Sequence, residues 1–391
     1  MRRQVGHQQG GLKSNSIFRD QLLCLPGRSV RSLPHAVRPQ AGSLMSAPPV
    51  SIIIVTWNAK ELVQTCLPSV VATDYPNFEI ILADNASTDG TAAWVAREHP
   101  EVKIVRHPGN WLFCRGNNAA LPHASGRFVV LLNNDVEVPP GWLHPLVEAA
   151  AGRPDVAAVQ PKLLQYDDRG RFEYAGGAGG FLDRAGYPFT RGRLFETMER
   201  DRGQYDDPRD VFWATGAALL LRRSALDEVG PLDERFEMHM EEIDLCWRLW
   251  RHGYRVRVAP ESTVYHIGGA SLPQSSPRKT YYNYRNSLLM LYKNLPPSAW
   301  RQTLPLRVAC DVAALGRVLA QGRGREATAI LRSYRDAFRM RRHYHDTRPA
   351  PADPAVLPFY RGLVPADYFL RGRRTFADLP RSRFVLPDDR P

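Results

Sequence analysis

Four short aliphatic runs constrain this chain more than any other feature. "VSIIIVTWN" (Val50–Asn58), "FEIILADNASTDGT", "VKIVRH" (Val102–His107) and "RFVVLLNNDVEV" each contain a continuous β-branched or aliphatic stretch. Such a stretch leaves no solvent face, so each reads as a strand buried on both sides. Segments of helical character lie between them. Leu62, Cys66, Leu67 and Val70 follow the first run at helical spacing, "TAAWVAREH" follows the second with a Thr or Asp near its cap, and "RGNNAALPHA" follows the third. Strands alternating with helices predict a doubly wound α/β domain with a mostly parallel sheet.

Three of the runs end in polar side chains: Thr56-Trp57-Asn58, Asp84-Asn85-Ala86-Ser87 and Asn133-Asn134-Asp135. In a parallel sheet these ends share one edge, where open α/β sheets bind their ligands. Any one of them suits a helix cap. Three together make a hydrogen-bonding pocket fitted to a base and a ribose, and Asp135 adds a hard oxygen ligand for Mg²⁺ or Mn²⁺ beside a diphosphate. The chain has neither a GxGxxG turn nor a GxxxxGK[ST] loop. That argues against a dinucleotide-dependent dehydrogenase and a P-loop ATPase.

Composition narrows the class further. A hydrophobic fraction of 43% with 10% aromatics is globular, and five scattered cysteines suit a reducing, cytoplasmic compartment. The net charge of +12 sits at the two ends: residues 1–46 hold seven Lys or Arg against one acid, and residues 301–391 hold 18 Arg against nine acids. A basic central groove is missing, so nucleic acid is not an expected partner of the central domain. No apolar run is long enough to span a bilayer. Residues 1–46 read as a disordered or mis-annotated extension.

At this point the residues carry a family resemblance. "SIIIVTWN", "DNASTDGT", "GNN" at Gly116–Asn118, "LLNNDVEV", "TGAALLLRR", "EEIDLCWRL" and "VYHIGGAS" occur in an order similar to that of inverting family 2 glycosyltransferases of the GT-A fold. The set looks most like the branch with rhamnosyl- and galactofuranosyl-transferases, over about residues 50–290. The resemblance implies that Thr56, Asn58, Asp84 and Asn85 hold the base and ribose of a nucleotide-diphosphate sugar, with Asn117 and Asn134 near the ribose and diphosphate. It implies that Asp135 and His266 hold the metal, Mg²⁺ or Mn²⁺. Asn133 stands where the family has its first acidic residue.

"FEMHMEEIDLCWRLWRHG" places Glu237, Glu241, Glu242 and Asp244 at a helix N-terminus. For Glu237 the helix dipole is reason enough. An inverting sugar transfer needs one carboxylate to take the acceptor hydroxyl's proton. The family keeps Glu-Asp here with the Asp as base, so Glu242 is the candidate and Glu241 the alternative. Trp213 either belongs to the core or stacks on the acceptor sugar, and Gly216 in the same motif is a further acceptor candidate. Arg285 is a phosphate candidate, and loops 109–118 and 165–210 should shape the pocket.

The expected layout is a GT-A catalytic domain over 47–295, amphipathic basic helices over 296–345 and a basic, aromatic tail over 346–391. In the second basic helix Ala327, Ile330, Leu331, Tyr334 and Phe338 share one face, while Arg332, Arg335, Arg339 and Arg342 share another. That helix either packs on the catalytic domain or lies on an anionic membrane, at the inner face of the cell membrane, near a saccharide or lipid-linked saccharide acceptor. A sugar nucleotidyltransferase is disfavoured by the lack of a Gly-rich basic opening loop. A non-catalytic sugar-nucleotide or glycan-binding domain is the alternative, motivated by Asn133 and Glu242.

Overall fold

The computed structural model describes residues 47–268, 276–349 and 359–386. The expected N-terminal extension and the end of the "VYHIGGAS" motif lie outside the described residues. The aliphatic runs form β1 (Val50–Thr56), β2 (Phe78–Asp84), β3 (Lys103–Arg106) and β4 (Phe128–Asn133), parallel in the order β4-β1-β2-β3. The two-residue period of a strand sends neighbouring side chains to opposite cores. Ile53, Ile81, Ala83, Val129 and Leu131 join one buried cluster, and Ile52, Ile54, Ile80, Leu82, Val130 and Leu132 the other. Helices α1 (Lys60–Val71), α2 (Thr91–Glu98) and α3 (Leu112–Ala120) make the crossovers, and α4 (Leu143–Ala151) follows β5 (Val136–Glu137).

The sheet then becomes mixed. β6 (Val156–Gln165) leads into an antiparallel four-stranded sheet of β7 (Gly180–Leu182), β8 (Pro188–Thr190), β9 (Arg193–Leu194) and β10 (Thr197–Met198). β11 (Arg209–Asp210) returns to the main sheet's far edge, β12 (Ala218–Arg222) inserts antiparallel between β4 and β6, and α5 (Arg223–Val229) follows it. After α6 (Glu241–Arg251), β13 (Arg255–His266) runs parallel to β6, with its register broken between Ala259 and Thr263. Its last residue, His266, pairs with Val136 of β5. That pairing carries His266 to the residue following Asp135.

Helices α7 (Pro277–Asn294), α8 (Pro297–Ala320) and α9 (Gly324–Met340) are tied together by a buried polar cluster. Asp311 accepts hydrogen bonds from Arg307 Nε (2.8 Å), Tyr334 Oη (2.6 Å) and Tyr187 Oη, while Arg307 Nη1 reaches Ser287 (2.7 Å). The face that α9 buries is Ala327, Ile330, Ser333 and Ala337. Leu331 and Phe338, expected on that apolar face, are instead 59% and 36% exposed, because helical rotation puts them on its flank. The tail contributes β14 (Phe359–Tyr360), α10 (Val364–Phe369) and β15 (Phe384–Val385). Its Tyr360, Phe376 and Phe384 pack against Phe181 and Phe189 of the antiparallel sheet. Among the described residues no helix is long and apolar enough to cross a membrane.

Candidate active site

The register of the parallel strands aligns their polar ends: Thr56 lies opposite Asp84, and Val55 opposite Asn133. Above that edge opens a cavity of about 1030 Å³. Thr56, Asn58, Asn85, Asn134, Asp135, Gly216, Glu241, Glu242 and His266 all line it. Neighbouring strands cross-link its floor. Asn134 Nδ2 donates to Thr56 Oγ1 (3.0 Å), Asn58 Oδ1 accepts from the Thr88 amide (2.7 Å), and the Asn58 amide donates to Ser87 Oγ (3.0 Å). Asn85 Nδ2 reaches Leu112 O (3.1 Å), whereas its Oδ1 is buried without a partner among the described residues. That free acceptor is a place where a ligand's N–H would be rewarded.

Three expected site residues are not on the cavity wall. Asp84 is buried behind Asn85, where its Oδ1 accepts from the Ser87 amide (3.1 Å) and closes the turn. Asn117 turns back into its own helix, donating to Phe113 O (2.9 Å). Trp213 is a core residue: its Nε1 donates to Phe181 O (3.1 Å), and its indole lies where a Cβ on Gly180 would sit. It offers no face to an acceptor sugar. Gly216 does border the cavity, and a Cβ there would stand 3.7 Å from Glu242 Cβ.

One corner holds Asp135 and His266. Asp135 Oδ1 lies 3.0 Å from His266 Nε2, and Asn133 Nδ2 approaches the same nitrogen at 3.5 Å. On the other side of the ring, Nδ1 lies 3.3 Å from Glu173 Oε2, within ion-pair distance but off the line of a good hydrogen bond. Burial alone would lower the His266 pKa, but the two carboxylates overcome it and hold it up at about 10. Burial likewise pushes Asp135 up, yet His266 more than offsets this and keeps it below the usual carboxylate range. Among the described residues, no group of three or more His, Cys, Asp or Glu is arranged to hold a metal by itself.

A second corner carries Glu241 and Glu242 at the start of α6. Each has an Oε2 buried without a hydrogen-bond partner among the described residues. Burial raises the Glu242 pKa to about 7, and burial together with Glu242 raises that of Glu241 well above its ordinary value. Asp244 is different: Lys293 (2.7 Å), Asn294 (2.8 Å) and Arg248 (3.0 Å) satisfy it, so it is a structural carboxylate.

The loop that presents the glutamates is strained. Glu237, His239 and Met240 have φ of 65°, 67° and 70°, left-handed values that cost of order 1–3 kcal/mol each in non-glycine residues. Asn286 on α7 holds the loop by donating to the carbonyls of Phe236, Met238 and His239, each at 2.8 Å. Arg285, expected as a phosphate contact, is buried and joins the same clamp through Phe236 O (3.0 Å) and Glu237 (3.0 Å). Glu237 therefore serves this clamp, together with Tyr282 Oη (2.6 Å), and not the helix dipole alone. Sequence reasoning also missed Trp57, 51% exposed at the cavity mouth, and Glu173, Tyr174, His239, Arg278 and Lys279 on its walls. Both loops expected to shape the pocket do contribute, through Asn110, Leu112 and Phe113 and through residues from Gln165 to Met198.

The Glycosyl transferase family 2 model matches residues 51–230. The O-antigen biosynthesis protein RfbC of Myxococcus xanthus is 34% identical over 250 residues, 61% of this chain but only 19% of that protein. The N-acetylglucosaminyl-diphospho-decaprenol L-rhamnosyltransferase of Mycobacterium tuberculosis H37Rv is 31% identical over 235 residues, 55% of this chain and 75% of that enzyme. Among solved structures, GalNAc-T7 with UDP, GalNAc and Mn²⁺ aligns with a TM-score of 0.51 and 18% identity, covering 64% of this chain and 48% of that one. At that identity the likeness speaks for the fold, which is GT-A. The strand ends, the β12 insertion and these similarities together show that the chain belongs to glycosyl transferase family 2, in its rhamnosyltransferase-like branch.

Proposed function

We propose that this chain transfers a sugar, with inversion, from a UDP- or dTDP-linked donor to a hydroxyl of a saccharide or lipid-linked saccharide during synthesis of cell-surface polysaccharide. The carrying observation is that one cavity gathers the strand-end hydrogen-bonding groups, the Asp135–His266 corner and two unpartnered glutamates. Thr56, Asn58, Asn85 and Asn134 would orient the base and ribose. Asp84, from its buried turn, would act on the base indirectly, by fixing the turn at Ser87. Glu242 would accept the proton of the acceptor hydroxyl as its oxygen bonds to the anomeric carbon and the bond to the nucleoside diphosphate breaks. With a pKa near 7 it is poised for that task, and the more deeply held Glu241 keeps its own proton.

Asp135 and His266 fit a divalent cation. One hard oxygen and one imidazole nitrogen face each other at 3.0 Å, and with only these two ligands the diphosphate would complete the shell. When bound, Mg²⁺ or Mn²⁺ supplies charge neutralisation of the departing diphosphate. The test is thermal stabilisation by UDP, dTDP and GDP with and without Mn²⁺, followed by turnover of the matching sugar nucleotide. Stabilisation by one nucleotide that needs the metal and is lost in Asp135→Ala supports the reading. A flat melting curve with every nucleotide and sugar nucleotide sinks it and favours a glycan-binding domain.

The acceptor's lipid link is part of this proposal, placing the protein at the inner membrane face. Val312 and Leu319 on α8 and Leu331 and Phe338 on α9 are exposed, as are Arg332, Arg335 and Arg339 on α9, a combination that suits anionic lipid. Co-flotation with phosphatidylglycerol vesicles but not phosphatidylcholine vesicles, lost in the Leu331→Asp/Phe338→Asp double variant, is the expected result. Equal recovery with both vesicle types would remove this part.

A further inference from the structure

We propose that Glu173 is a positioning residue for the metal site: it holds His266 from the Nδ1 side so that Nε2 is directed at Asp135. The inference rests on the reading of Asp135 and His266 as metal ligands. Glu173 is 4% exposed and lies in the loop after β6, on a different element from either ligand. Its amide donates to Leu163 O (3.0 Å), which fixes the backbone against β6, and its Oε2 also accepts from the Ala175 amide. The carboxylate is therefore anchored before it meets the imidazole.

A buried carboxylate normally takes a lysine or arginine partner. Among the described residues, the ion-pair partner of Glu173 is His266 Nδ1 at 3.3 Å, and that of Asp135 is His266 Nε2 at 3.0 Å. Two buried carboxylates thus share one imidazole, while Arg193, near enough to act on Glu173 through space, spends its hydrogen bonds on the carbonyls of Tyr174 and Phe195. A histidine that ligates a metal through one nitrogen needs its other N–H held by an acceptor, which sets the tautomer and the ring angle and strengthens the ligand. Glu173 Oε2 is the acceptor within reach of the unpartnered Nδ1, 3.3 Å away, and a small turn of the imidazole would bring the two into line. The backbone two residues past His266 leaves room for it: Gly268 has φ +68°, and a Cβ there would stand 3.0 Å from Glu173 Oε1.

The experiment is Mn²⁺ titration of the full chain in the presence of UDP, followed by calorimetry or by the electron paramagnetic resonance of free Mn²⁺. Glu173→Ala should weaken Mn²⁺ binding about 10- to 100-fold, with Glu173→Gln intermediate because its amide oxygen still accepts from Nδ1–H. UDP affinity without metal should be unchanged in both. A merely structural role would lower the melting temperature and leave Mn²⁺ affinity intact, and that result overturns the proposal. If Glu173→Ala does not fold, the isosteric Glu173→Gln decides, and wild-type Mn²⁺ affinity in it overturns the proposal equally. His266→Ala separates the two levels. Lost Mn²⁺ binding there with normal binding in both Glu173 variants removes only the role of Glu173. Normal Mn²⁺ binding in His266→Ala removes the metal-site reading and this inference with it.

Discussion

The cavity holds two acidic corners that burial treats in opposite ways. At Asp135, burial is outweighed by His266, and the carboxylate stays ionised. At Glu241 and Glu242 no cation is paired with either carboxylate among the described residues, and burial lifts both. Asp244, one helical turn from Glu241, shows that the same helix can satisfy a carboxylate when Lys293 and Arg248 are supplied. The unpaired state of the glutamates is thus a local property of their position. One corner keeps its negative charge, and in the other burial favours the protonated carboxyl.

The sharpest way to break this contrast is Glu242→Gln. Transfer should fall about 10²- to 10⁴-fold with donor binding unchanged, measured as nucleoside diphosphate release beside a nucleotide-binding curve. Wild-type turnover in the variant would move the base to Glu241 or away from α6. Next in size, His266→Ala should weaken metal-dependent stabilisation by UDP about 100-fold while leaving the metal-free nucleotide signal intact. A variant that keeps full metal dependence would separate His266 from the metal corner.

Acid should act on the glutamate corner first. Below the Glu242 pKa of about 7, kcat should fall roughly tenfold per pH unit, because the base is then protonated. A profile flat from pH 5 to 8 would contradict the assignment. Stability should move the other way. The folded pKa is raised above the unfolded one, so the stabilisation this group contributes is complete below pH 4.5 and lost as the pH rises through about 7. Glu242→Gln should therefore melt a few degrees above wild type at pH 8, an upper bound of about 3 kcal/mol for this shift, with no gain at pH 4.5. Least in catalytic effect, Asn286→Ala should cost about tenfold in kcat by freeing the strained loop, with donor affinity kept. A loss of donor affinity larger than the loss of kcat would show that the clamp serves the other corner.

The strand-end edge was legible in the sequence because burial on both faces and parallel order follow from short-range pattern. Thr56, Asn58, Asn85, Asn134 and Asp135 reach the cavity for that reason. His266 was accessible only through family resemblance, since it meets Asp135 across 131 residues of chain. Trp213 shows the limit of pattern: an indole at the foot of a core strand reads the same whether it packs on Gly180 or faces a sugar. Asn117 fails similarly, because one residue's rotation on α3 decides between cavity and helix interior. Glu173, Arg285 and Asn286 act through contacts with distant loop backbone and with His266, and no local spacing announces them.

The docked tail bears on the order in which the molecule can be completed. Tyr368 Oη lies 2.9 Å from Thr197 Oγ1, and the Phe376 amide donates to Glu199 (3.0 Å), on either side of Met198 in the cavity wall. A ribosome releases residues 359–386 after every residue that lines the cavity. Until they emerge, Phe181 and Phe189 lack the aromatic cover that holds this wall from behind. The nascent chain can therefore assemble the parallel strand ends early, but the wall around Met198 gains its backing only once residues 359–386 have been made.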